Sequence, residues 1–148
     1  MDRITGGAIT DTNRETNIEG IFACGNALHV HDLADYASEE AEIAGEAAAE
    51  YILGKREAGL KEISVTPVDH ARYTVPQKIC AKKPVKIYFR VDNICKNAII
   101  EVRDGDEVIL SKKKDHLAPG EMEYLLLTAE MTEKIKGDSV TLEVRENG

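Results

Sequence analysis

The hydrophobic period of the chain changes near residue 60, and that change limits what it can fold into. Leu33, Ala37, Ala41, Ala44, Ala48 and Ile52 recur at the spacing of one narrow helical face, which predicts a helix over residues 33 to 53. Asp32 or Asp35 suits its start, where free amides and the dipole favour a carboxylate, and Gly54, Lys55 and Arg56 suit its end. Beyond residue 60 the period drops to that of a strand. Val85, Ile87, Phe89 and Val91 alternate with Lys86, Tyr88 and Arg90, the pattern of a strand with one buried side. Similar runs cover Ile63 to Val68, Ala98 to Arg103, Glu107 to Lys112, Glu123 to Leu127 and Ser139 to Arg145, with turn signals at Asp104-Gly105, Pro119-Gly120 and Gly137-Asp138. Arg72 to Ile79 is a weaker strand, interrupted by Pro76. About seven strands predict an antiparallel, immunoglobulin-like β-sandwich over residues 63 to 148.

With two Phe, five Tyr and no Trp, the core must be aliphatic and no aromatic stacking platform is expected. A net charge of −8 opposes binding to phosphate backbones and anionic membrane surfaces, so neither nucleic acid nor membrane is an expected partner. No apolar run approaches the ~18 residues that cross a bilayer, and no apolar signal core follows Met1-Asp2-Arg3. Cys24, Cys80 and Cys95 lack CxxC spacing, which writes neither a disulfide framework nor a dithiol centre. The expectation is a soluble, cytoplasmic protein.

Residues 1 to 60 form a different unit. Ala8 to Thr10 reads as a short strand, Asp11 to Glu15 as a turn, and Gly20 to Cys24 as a strand buried on both faces. These strands and one helix cannot enclose a core, so the unit reads as the end of a larger α/β domain. Its informative stretch runs from Thr16 to Asn26. After the apolar residues Ile21, Phe22 and Ala23, Gly25 permits close backbone approach and Asn26 offers a polar side chain beyond the strand end. Ligands of open α/β sheets sit at such ends, near helix N-termini with unpaired amides.

This stretch resembles the second flavin-binding motif of the FAD-dependent pyridine nucleotide-disulfide oxidoreductases, the superfamily of the thioredoxin reductases. Thr16, Ile21, Phe22, Ala23 and Gly25 fit the motif, and Asn26 stands where it has Asp. The continuation from Leu28 to Asp35 is similar to flavoproteins associated with anaerobic glycerol 3-phosphate metabolism. The resemblance covers residues 5 to 53, about a third of the chain. It implies that Gly25 and Asn26 approach the ribityl-pyrophosphate part of FAD, and that Tyr36 and Ala37 offer backbone donors to the isoalloxazine ring. An Asn side chain can donate as well as accept hydrogen bonds but lacks the carboxylate charge. No G-x-G-x-x-G turn occurs, Gly6-Gly7 being only a pair, and the NAD domain is absent. The chain therefore reads as the C-terminal part of a flavin-dependent oxidoreductase, inactive alone, whose partner is the remainder of the flavoprotein. The competing reading is a noncatalytic module that docks a partner subunit or electron acceptor, with homo-oligomerisation open in either case.

His29, His31, Asp32 and Asp35 admit three readings: a metal cluster, a loop whose polar groups satisfy backbone donors, or a proton-handling histidine beside the flavin. No metal ligand and no catalytic residue is assigned. Cys24 reads as an inert packing thiol, Lys112-Lys113-Lys114 as a solvated loop or edge-strand guard, and Glu39, Glu40, Glu42, Glu46 and Glu50 as a wet helix face.

Overall fold

The computed structural model describes residues 1–147 as a mixed α/β structure dominated by strands. The helix α1 spans Ala34–Ile52. Eight strands follow: β1 Glu62–Asp69, β2 Ala71–Val75, β3 Lys78–Cys80, β4 Val85–Val91, β5 Cys95–Asp104, β6 Glu107–Leu117, β7 Glu123–Leu127 and β8 Ser139–Glu146. The one-turn helix α2, Ala129–Glu133, lies between β7 and β8. Its signal is Thr128, whose side chain accepts from the Met131 amide at 3.2 Å and caps the turn.

One sheet has the order β3-β1-β8-β5-β6 and the other β2-β4-β7. Pro76 separates β2 from β3, which belong to different sheets, so the single interrupted strand expected over 72–79 is two. All pairings are antiparallel except β1 with β8, which run parallel from Ser64 opposite Ser139 to Asp69 opposite Val144. The wholly antiparallel expectation is corrected there. A parallel neighbour needs a long connection, and here the six intervening strands supply it. Alternation reports which face is buried and not which way the neighbour runs.

The sheets share one aliphatic core. Val85, Ile87, Phe89 and Val91 of β4 meet Ile63 and Val65 of β1, Ile100 and Val102 of β5, and Leu142 of β8. Burying a side chain of this size contributes about 1.5–3 kcal/mol, and this cluster holds most of the buried hydrophobic residues.

The first 60 residues lie against the other face of the three-stranded sheet. Gly20 to Cys24 does not form the expected buried strand: Phe22 bridges Glu15 and Thr10 bridges Thr16, while Ile21 is exposed. The pairing stops at isolated bridges, the Glu15–Phe22 one held by Ala23 N–H to the Arg14 carbonyl at 2.9 Å and Thr16 N–H to the Ile21 carbonyl at 2.8 Å. Leu28 anchors it, fully buried against Tyr73 and Val75 of β2. Gly7 packs on the same point, where a Cβ would stand 2.1 Å from the Leu28 carbonyl oxygen.

Candidate functional site

The buried face of α1 differs from the alanine stripe read from sequence. Ala44 is buried and Ala37 and Ala48 are half-buried, but Leu33, Ala41 and Ile52 are exposed, and the covered positions include Tyr36, Glu40, Ile43, Ala47 and Tyr51, the last packed on Phe22. That set has helical spacing with Glu40 at its centre, a signal the charge of Glu40 concealed. Glu40 is fully buried, which corrects its place on a wet helix face.

An isolated carboxylate in such a place would be prohibitive, so it must be paired. Arg14 Nε donates to Glu40 Oε1 at 3.0 Å, with both side chains fully buried. His31 Nε2 lies 2.6 Å from Glu40 Oε2, and His29 Nε2 lies 3.6 Å from the same oxygen. Burial alone would raise the Glu40 pKa, but its interactions with His29, Arg14 and His31 outweigh that and hold it below the ordinary value. Burial and the neighbouring His29 push His31 below its ordinary value, which favours the neutral ring at neutral pH. Arg14 is in turn tied to β4 through a bond from its NH2 group to the Lys86 carbonyl at 3.4 Å.

The network continues along the loop that enters α1. Arg90 of β4 donates to Tyr73 Oη at 3.0 Å, to the Val30 carbonyl at 2.9 Å and to Asp32 Oδ1 at 2.5 Å. The second Asp32 oxygen accepts from the Met122 amide at 2.5 Å. Burial opposes the charge on Asp32, yet these bonds hold its pKa below the ordinary carboxylate value. Asp32 thus fastens the loop to the sheet and does not cap α1, whose N-cap is Leu33 with no side-chain bond to the helix.

Of the residues that carry the sequence reading, Gly25 opens a single 3-10 turn, Gly25–Ala27, at φ +62. Nothing lies within 4 Å of where its Cβ would be, so its face is open. Asn26 is exposed, and its Oδ1 accepts from the His31 amide at 3.3 Å, so its NH2 group takes no part in that bond. Tyr36 is half-buried in the first turn of α1 and contributes the last of the four amides without a helical partner; Ala37, also half-buried, begins the ladder. A cleft of ≈ 440 Å³ opens beside this helix start, with Leu33, Tyr36, Lys112 and Tyr124 among its walls.

His29 and His31 come together, their ring centroids 4.4 Å apart, with Glu40 as the nearby carboxylate; Asp32 is committed to Arg90, and Asp35 is exposed. Tyr36, Tyr88 and Tyr124 surround the Lys86 ammonium, which stands 5.0, 5.3 and 4.1 Å from their ring centres. These tyrosines, far apart in sequence, meet between α1 and the three-stranded sheet, with Tyr88 fully buried. Cys24 is half-buried rather than within a buried strand, and Lys112, Lys113 and Lys114 lie on β6, an edge strand. Among the described residues no helix is long and apolar enough to cross a membrane. No protein-family model, curated protein or solved structure matches the chain.

Proposed function

We propose that residues 1 to 60 are the closing segment of an FAD-binding domain of the pyridine nucleotide-disulfide oxidoreductase type, and that residues 63 to 148 are an immunoglobulin-like accessory unit. The observation that carries this reading is the outward end of the motif. Gly25 has a positive φ and an open face, Asn26 is exposed with its Oδ1 accepting from the His31 amide, and α1 starts nearby without a side-chain cap. Such a surface suits a phosphate or ribityl group, because backbone donors and the helix dipole both favour negative charge. With a flavin bound, Gly25 would admit the close approach, Asn26 would donate to a ribityl or phosphate oxygen, and the amides up to Tyr36 would serve the ring system. When bound, the flavin supplies hydride acceptance and electron transfer, while the protein orients it and tunes its potential. Arg14, Glu40 and Arg90 hold the loop and helix start in register.

A second reading is favoured by exposed apolar side chains on the same unit: Ile18, Ile21, Val30, Leu33, Ile52 and Leu53. A partner subunit or electron acceptor could cover them as well as a flavin domain could. The two readings separate in the longest natural open reading frame that contains this chain. The flavin reading expects a G-x-G-x-x-G turn upstream, a bound-flavin absorbance spectrum, and FAD content reduced by Gly25→Val. A flavin-free product, or FAD content indifferent to Gly25→Val, would support the docking module instead.

A further inference from the structure

His29, His31 and Glu40 present their ligating atoms within 4.8 Å of one another, in the layer between α1 and β4. We infer that these three residues bind one divalent transition-metal ion of the zinc class, through His29 Nε2, one imidazole nitrogen of His31 and Glu40 Oε2. Two imidazoles and one carboxylate are the donor set that such ions take. The 3.6 Å between His29 Nε2 and Glu40 Oε2 is close to the separation of two ligands of one tetrahedral ion, each about 2.0–2.2 Å from the metal. His31 Nε2, at 2.6 Å from the same oxygen, would have to draw back by less than about 1 Å to admit the ion.

A second observation points the same way. His29 Nε2 and His31 Nδ1 are buried without a hydrogen-bond partner among the described residues, although buried polar atoms are normally satisfied. The ion gives His29 Nε2 the partner it lacks. The groups behind the ligands are those that orient a metal site: Arg14 holds the other Glu40 oxygen, and Tyr73 Oη stands 3.5 Å from His29 Nδ1 with Arg90 behind it. With Arg14 neutralising Glu40, the ion would leave two net positive charges, the same balance as zinc held by three neutral histidines. All three side chains are almost fully buried, so the ion would tie the entry loop to α1, with its fourth position taken by a water.

The test is titration of the 148-residue protein with Zn²⁺ by calorimetry and with Co²⁺ by visible absorption. The inference expects one ion per chain, a raised melting temperature, and the intense Co²⁺ bands of a four-coordinate nitrogen and oxygen site. His29→Ala and His31→Ala should each weaken binding more than about 100-fold, and Tyr73→Phe about 10-fold. Joint replacement of His70 and His116 by Ala should change nothing. If the ligand variants fail to fold by circular dichroism, the wild-type Co²⁺ spectrum and the His70, His116 variant decide the matter. No binding, a weak six-coordinate spectrum, or binding lost with His70 and His116 would overturn the inference and leave the cluster as a hydrogen-bonded brace.

Discussion

The two faces of β4 are built on different principles. Toward the five-stranded sheet it presents Val85, Ile87, Phe89 and Val91 to an aliphatic core. Toward the N-terminal segment it presents Lys86, Tyr88 and Arg90, which meet Glu39, the imidazoles of His29 and His31, and Asp32. The first face is held by area removed from water, which is non-directional and tolerant of detail. The second is held by charged hydrogen bonds whose partners must all be present, because a buried charge left alone costs more than the pair contributes. The comparison teaches that the outer layer is a positioning device. It holds the Gly25–Asn26 turn and the start of α1 at fixed places on a sheet that is stable for other reasons.

Breaking the inner face should have the largest effect. Phe89→Ala is expected to cost about 3–5 kcal/mol in urea denaturation and to loosen both faces together. Next comes Arg14→Met, which leaves the buried Glu40 carboxylate with only the two histidines beside it and should cost about 3 kcal/mol. Hydrogen exchange should confine its damage to residues 1 to 60, and adding Glu40→Leu should recover much of the loss. A loss spread equally over β5 and β8 would erase the distinction between the faces.

Acid gives the smallest and most graded effect. His31 has a folded pKa below its ordinary 6.5, so the unfolded chain binds its proton first, and its contribution, complete above that value, fades as pH falls below it. Glu40 and Asp32 are depressed from 4.5 and 3.8, so their contributions hold above those values and are lost as pH falls through the lower folded ones. Urea midpoints measured against pH should therefore decline in two stages, and Glu40→Gln should shrink the second. The hydrophobic contacts of Ile87 and Phe89 have no such dependence.

The inner face was legible in the sequence and the outer was not. Alternation in Val85 to Val91 marks a buried side directly, and Pro76 marks the place where one strand becomes two. The burial of Tyr88 on the opposite side depends on a segment more than fifty residues earlier, and no local period reports it. Glu40 was open to discovery, since it sits at the centre of the Tyr36, Ile43, Ala47 and Tyr51 face, but a glutamate on a helix ordinarily means solvent. His29 and His31 drew notice by residue type, whereas their partners came through long-range packing. The open end at Gly25 and Asn26 owes its functional meaning to the resemblance, because glycine at a positive φ has many uses.

The central claim is that this open end meets a flavin nucleotide. It is tested most directly by titrating the isotopically labelled chain with millimolar FAD and following its amide resonances. The account predicts weak binding, with shifts concentrated at Gly25, Asn26 and Tyr36 and diminished by Gly25→Val. Shifts confined to the lysines of β6, or a spectrum that FAD leaves unchanged, would contradict it.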